Sequence, residues 1–324
     1  MRRIIQFIKE WTLPVSIATG SLLYLVFAFI PALDSAANFF APILDAALPL
    51  FMFLVLYVTF CKVDFRKLIP VGWHLWIALS QVLMVAVVIG AILFFHVTGK
   101  SLILLEALLT CIICPCASAA AVVTQKLGGN LEEMTTYTFL SNFLCALLIP
   151  VCFPLLDAEA DITFWSAFVA ILYKVCLVLV VPMILAYITK HWHTLCRFYQ
   201  WVISMNNLSY YLWGCSLLIV SGTTVKNIVH AEVAVSFLLL IAILALVLCL
   251  IQFAMGRYIG HFFRSTINAG QALGQKNTAF AIWIAYTYLN PLSTVGPGCY
   301  ILWQNIINSV EIWRYDHAIK RKNK

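Results

Sequence analysis

Residues 268–280 read NAGQALGQKNTAF and set Lys276 among glycines and amides, inside a run otherwise rich in isoleucine, phenylalanine, tryptophan and alanine. The surroundings decide what kind of run this is. The 324 residues are 63% hydrophobic and 10% charged, with a mean hydropathy of +0.97, whereas soluble domains carry about 25% charged residues. Apolar segments recur near the 20 or so residues that cross a hydrocarbon core of about 30 Å. This composition predicts an all-α polytopic membrane protein. The net charge of +7 is spread over short loops, which reads as an orientation signal rather than a nucleic-acid patch.

Apolar runs divided by polar breaks predict ten spans, at 11–30, 38–60, 71–97, 103–127, 132–156, 163–190, 198–225, 231–255, 262–289 and 292–315. With this count and the N-terminus inside, sixteen of the twenty Lys and Arg residues fall on the inner side. Only Lys100 and Lys226 fall outside, while Lys174 and Lys276 stay within the membrane. Such a bias predicts both termini in the cytoplasm of a bacterial-type inner membrane. Ten spans divide at the acidic loop DAEAD (157–161) into a first repeat, 1–156, and a second, 163–315, followed by a basic tail, 316–324. Because five is odd, the second repeat enters the membrane in the opposite sense, the arithmetic of an inverted repeat.

The fourth span of each half is interrupted: CPCASAAAVVTQKLGGN (114–130) in the first, NAGQALGQKNTAF in the second. Paired interruptions at corresponding positions point to a transport site built from broken, crossing helices 4 and 9. The plainer alternative is close helix packing through small residues.

These residues resemble the bile acid:sodium symporter family. The likeness rests on CPCASAAAVVTQKLGGN, on LPLFMFLVLYVTFCKVDFRKL (48–68), on LYKVCLVLVVPMILAYI (172–188) and on GQKNTAFAI (274–282). The resemblance implies a core of spans 3–5 and 8–10, a panel of spans 1, 2, 6 and 7, and import of bile acids or other organic anions, usually driven by sodium. It also exposes departures. Where the family has Ser-Asn after the first break, this chain has Ala120 and Ala121; a sodium-ligating serine becomes Met134, although Thr138 survives. The family's glutamate falls on Ala272 and its glutamine on Lys276. Alanine and methionine offer no oxygen, so the sodium sites are expected to be dismantled.

Lys276 lies about 13 residues from either end of its span, roughly 20 Å along a helix and too far to snorkel. A charged lysine there costs on the order of 3 kcal/mol, so it must face protein or a water-filled cavity, or lose its proton. The expectation is that its ammonium occupies the place of a lost sodium ion, either as a fixed charge or as a titrating group. The plainer reading is a lysine that stabilises the crossover. Thr138, Gln271 and Gln275 are assigned with it to the ion site. Ser118, Asn277, Thr278 and Asn305 are assigned to the substrate, against the alternative of backbone capping or interhelical hydrogen bonding, as for Ser141, Asn142 and Gln304. Cys114 and Cys116 raise a metalloid-efflux alternative, but no third soft ligand is near in sequence. No catalytic motif, metal site or cofactor site is read. The expected partners are a small organic anion and the lipid bilayer; the oligomeric state stays open, with a monomer compatible.

Overall fold

The computed structural model describes residues 11–156, 164–205, 207–230 and 233–322. The acidic loop, the basic residues before Trp11 and the side chain of Lys174 lie outside the described residues. The described secondary structure is helical, and six helices are long and apolar enough to cross a membrane. The chain is an integral, multi-pass membrane protein.

The helices are α1 (Thr12–Phe29), α2 (Asp34–Lys62), α3 (Gly72–Phe94), α4 (Gly99–Ile113), α5 (Ala119–Lys126), α6 (Leu131–Cys152) and α7 (Phe164–Val175). They continue with α8 (Val181–His191), α9 (Cys196–Ser204), α10 (Leu208–Val229), α11 (Val235–Phe262), α12 (Thr266–Gly274), α13 (Thr278–Tyr288) and α14 (Val295–Lys322). Four of the ten expected spans are not single uniform helices, two of them at the breaks that the sequence predicts. The expected fourth and ninth spans are split into α4/α5 and α12/α13, each piece too short to cross alone. The sixth is divided by a π-helical turn, Cys176–Val180. The tenth, α14, is long enough but polar, and it runs on through Lys322, so residues 316–322 of the basic tail form about its last two turns. A fifth difference lies at the seventh span, which begins at Leu208 because α9 is a separate short helix.

The chain divides into two compact units that interleave along the sequence. One comprises residues 1–62, 181–230 and 305–324; the other comprises 63–180 and 231–304. In the first unit α10 packs on α1 and α2, and α8 and α9 pack on α2. A Cβ on Gly20 of α1 would collide with the Leu218 carbonyl of α10, so the absence of a side chain sets the closeness of that pair.

In the second unit α11 and α12 pack over their whole shared length, and α6 contacts α3, α5, α7 and α12. Its apolar core joins Val85 and Ile89 of α3, Leu109 and Ile113 of α4, Ala146 and Ile149 of α6, and Phe280 and Ile284 of α13. Helix α6 starts cleanly: the Asn130 side chain accepts the Glu133 N–H at 3.0 Å, and Glu132 and Glu133 in its first turn oppose the positive end of the helix dipole. Asn130 and Asn268 also bond reciprocally. The Asn130 N–H donates to Asn268 Oδ1 at 3.0 Å, and Asn268 Nδ2 donates to the Asn130 carbonyl at 2.7 Å. This clasp ties the start of α6 to α12.

Candidate functional site

Proline creates the first break. Pro115 has no N–H and forces the preceding residue into an extended conformation; Cys114 has φ −64° and ψ 151°, and α4 ends at Ile113. The second break follows Gly274. Gln275 is extended, with φ −96° and ψ 103°, and Asn277 restarts the chain as α13 by accepting the Phe280 N–H at 3.2 Å. The two extended segments pair as a short antiparallel bridge between Cys116 and Lys276. The Ala117 N–H donates to the Gln275 carbonyl and the Asn277 N–H to the Pro115 carbonyl, each at 2.9 Å.

A broken helix leaves buried backbone groups that need partners. Pro115 cannot donate to the Cys111 carbonyl; Gln252 Nε2 of α11 does so instead, at 3.3 Å. The Cys116 N–H, which would have served Ile112, is turned to Ser141 Oγ at 3.1 Å. The carbonyls exposed at the end of α4 are met by three side chains. Lys276 Nζ donates to Ile112 O at 3.0 Å and Cys114 O at 3.3 Å. Gln81 Nε2 of α3 lies 3.0, 3.0 and 3.1 Å from the carbonyls of Ile112, Ile113 and Cys114. Cys145 Sγ donates to Ile113 O at 2.8 Å. Cationic and donor groups are thus gathered at the negative end of the α4 dipole, where a cation is favoured by up to about 2 kcal/mol.

Lys276 is 0% exposed. Its ammonium partners are carbonyls, with the thiols of Cys111, Cys114, Cys116 and Cys145 within electrostatic reach and no carboxylate among its contacts. Its backbone is clamped by one side chain of α14: the Lys276 N–H donates to Gln304 Oε1 at 2.8 Å, and Gln304 Nε2 donates to the Lys276 carbonyl at 3.1 Å. Tyr300, one turn earlier, donates to the Gly274 carbonyl at 2.8 Å and accepts from Gln252 Nε2 at 3.0 Å.

The residues expected at the site fare differently. Thr138 donates to the Met134 carbonyl at 2.9 Å, and its hydroxyl lies beside the Cys116 thiol. Gln271 and Gln275 are buried one turn apart on the α12 segment. Gln275 is 1% exposed, and neither end of its amide has a protein partner. Asn277 is occupied in capping α13, Thr278 is buried at its first turn, and Ser118 precedes α5 without a capping bond. Asn305 is buried and belongs to the other compact unit. Ser141 and Gln304 serve the breaks. Asn142 Nδ2 bonds within its own helix, to the Thr138 carbonyl at 2.7 Å, rather than across helices. Cys114 and Cys116 flank the first break, and among the described residues no three His, Cys, Asp or Glu side chains are grouped to hold a metal ion.

Gln81, Gln252, Tyr300 and Asn268 were not singled out by the sequence. Gln81 carried a signal, a lone amide within IALSQVLMVAVV (77–88), and Asn268 opens the second interrupted stretch itself; Gln252 and Tyr300 lie on helices whose relation to the breaks no spacing reveals.

A comparison with protein families matches residues 49–231 to the Sodium Bile acid symporter family. No curated protein is significantly similar to the chain.

Proposed function

The chain belongs to the sodium bile acid symporter family, and from that premise we propose that it carries a small organic anion by alternating access, with the Lys276 ammonium as a built-in cation that replaces sodium. The family is one of secondary transporters, consistent with a non-enzymatic role. On this reading the chain forms ten spans as a 5+5 inverted repeat with both termini in the cytoplasm, and the two interrupted helices are spans four and nine. The substrate is a bile acid-like or other carboxylate-bearing molecule.

One observation carries the ion argument: the two hydrogen bonds from Lys276 Nζ to the carbonyls of Ile112 and Cys114. Unwound carbonyls at a half-helix terminus are the ligands a transporter offers to a coupling cation. Here a covalently tethered ammonium is bonded to them, and Gln81 and Cys145 supply further donors. Carbonyls only accept, and they sit at the negative end of a dipole, which suits them to a donor cation. A fixed charge cannot leave with the substrate; transport is therefore uncoupled from both sodium and protons. The metalloid alternative lacks a three-ligand group among the described residues.

The test is organic-anion uptake into proteoliposomes, with sodium and pH gradients varied independently, for the parent and Lys276→Gln. The expected result is equilibration that neither gradient drives, with the rate strongly reduced in the variant. Sodium-driven accumulation by the parent would overturn the ion argument. Proton-driven accumulation abolished by Lys276→Gln would replace the fixed charge by a titrating one.

A further inference from the structure

The stretch from the end of α8 to the start of α10 is built unlike the spans on either side. From Tyr187 to Asn207 it carries Lys190, His191, His193 and Arg197 and no acidic residue. Helix α9 has three distinct sides at roughly 100° per residue. Leu195, just before the helix, shares one side with Tyr199 and Val202, and this side packs inward within the first compact unit; Val202 is 2% exposed, and α9 contacts α2 and α8. Phe198 and Trp201 share a second side. They are 46% and 59% exposed, with ring centroids 5.8 Å apart. Arg197, Gln200 and Ser204 share the third, all exposed. Trp192, 61% exposed, stands just before the helix. Lys62 Nζ donates to the Met205 carbonyl at 3.5 Å, tying the far end of α9 to α2.

A helix with one packed side, one aromatic side and one polar side fits the membrane interface. There, rings lie at headgroup depth and cations meet phosphate. We propose that residues 190–204 form a binding site for an anionic phospholipid. Trp192, Phe198 and Trp201 contact the upper acyl chain, and Lys190 and Arg197 bind the headgroup phosphate. Charge selects the occupant: a cluster of cations without a neighbouring acid in sequence discriminates phosphatidylglycerol from phosphatidylcholine, whose headgroup is neutral overall. The inference does not depend on the transport reading.

The experiment uses the full chain in detergent, titrated with dioleoylphosphatidylglycerol, dioleoylphosphatidylcholine or inorganic phosphate and followed by native mass spectrometry. The parent is expected to bind phosphatidylglycerol more tightly than phosphatidylcholine and to ignore inorganic phosphate. Lys190→Gln/Arg197→Gln should weaken phosphatidylglycerol roughly tenfold to thirtyfold at low salt and leave phosphatidylcholine unchanged. Phe198→Ala/Trp201→Ala should weaken both lipids. Arg197→Lys, which keeps the charge, should retain the preference, as should Arg66→Gln/Lys67→Gln in a separate basic loop. Equal affinity of the parent for the two lipids would overturn the proposal. So would phosphatidylglycerol affinity unchanged within twofold in the Lys190/Arg197 variant, or competition by inorganic phosphate.

Discussion

The Ile112 and Cys114 carbonyls each have two donors, and this redundancy makes a quantitative prediction. Lys276→Met removes the bonds of 3.0 and 3.3 Å but leaves Gln81 Nε2 at 3.0 and 3.1 Å. Gln81→Met does the reverse. Neither single change strands a carbonyl, so each is expected to cost about 1–2 kcal/mol, the net worth of one or two hydrogen bonds. For Lys276→Met even this is offset, because relieving a buried charge recovers part of its desolvation cost. The double variant leaves both carbonyls without their side-chain donors in an apolar core, at about 1–3 kcal/mol each. Its loss should therefore exceed the sum of the single losses by about 2–6 kcal/mol. The lysine desolvation term enters both sides of the cycle and cancels. Equilibrium unfolding in mixed micelles, followed by helical circular dichroism, gives the four stabilities needed. Additivity within about 0.5 kcal/mol would refute the view that these side chains jointly satisfy the end of α4.

Gln275→Leu should hold or raise stability, by up to about 3 kcal/mol, because the amide it removes has no protein partner; a fall in thermal stability would show that the amide is bound. Asn268→Ala should cost about 2 kcal/mol in the same unfolding assay by releasing the clasp with Asn130. On the proposed ion reading, Ala272→Glu/Lys276→Gln introduces the residue types that the resemblance implies at these positions and should make anion uptake sodium-dependent. Unchanged gradient dependence in that variant would mean that the lysine is not what displaces sodium. Gly20→Ala should destabilise the first unit, because its Cβ would meet the Leu218 carbonyl of α10; wild-type thermal stability would show that the α1–α10 pair has slack.

The breaks were legible because proline and buried charge are local signals. Pro115 must end a helix wherever the chain goes, and Lys276 must find acceptors if it is buried. The partners were not legible, because they are supplied across 25 to 164 residues of sequence. A glutamine in an apolar run says that something polar is near, not which carbonyl it meets. The same limit explains Asn277, whose side chain serves its own helix, and Asn142, which bonds one turn back along its own. The seventh span was misplaced for another reason. A division into apolar and polar residues counts Phe198, Trp201 and Val202 alike, although two face outward and one packs inward. Reading the same residues by their angle around the helix separates α9 from the span that follows.

The pairing of α4 with Lys276 also imposes an order on biosynthesis. The carbonyls of Ile112 and the ammonium that meets them are 164 residues apart, so at about 5–20 residues per second the first waits about 10–30 s for the second. Through that interval the unfinished chain holds a helix end without its lysine, and the clamp from Gln304 comes later still. A ribosome that stalls after α11 releases a protein whose first half is inserted but whose polar seam is open. Such a chain carries its own mark of incompleteness, an α4 end served by Gln81 and Cys145 without the cation that arrives between the last three helices.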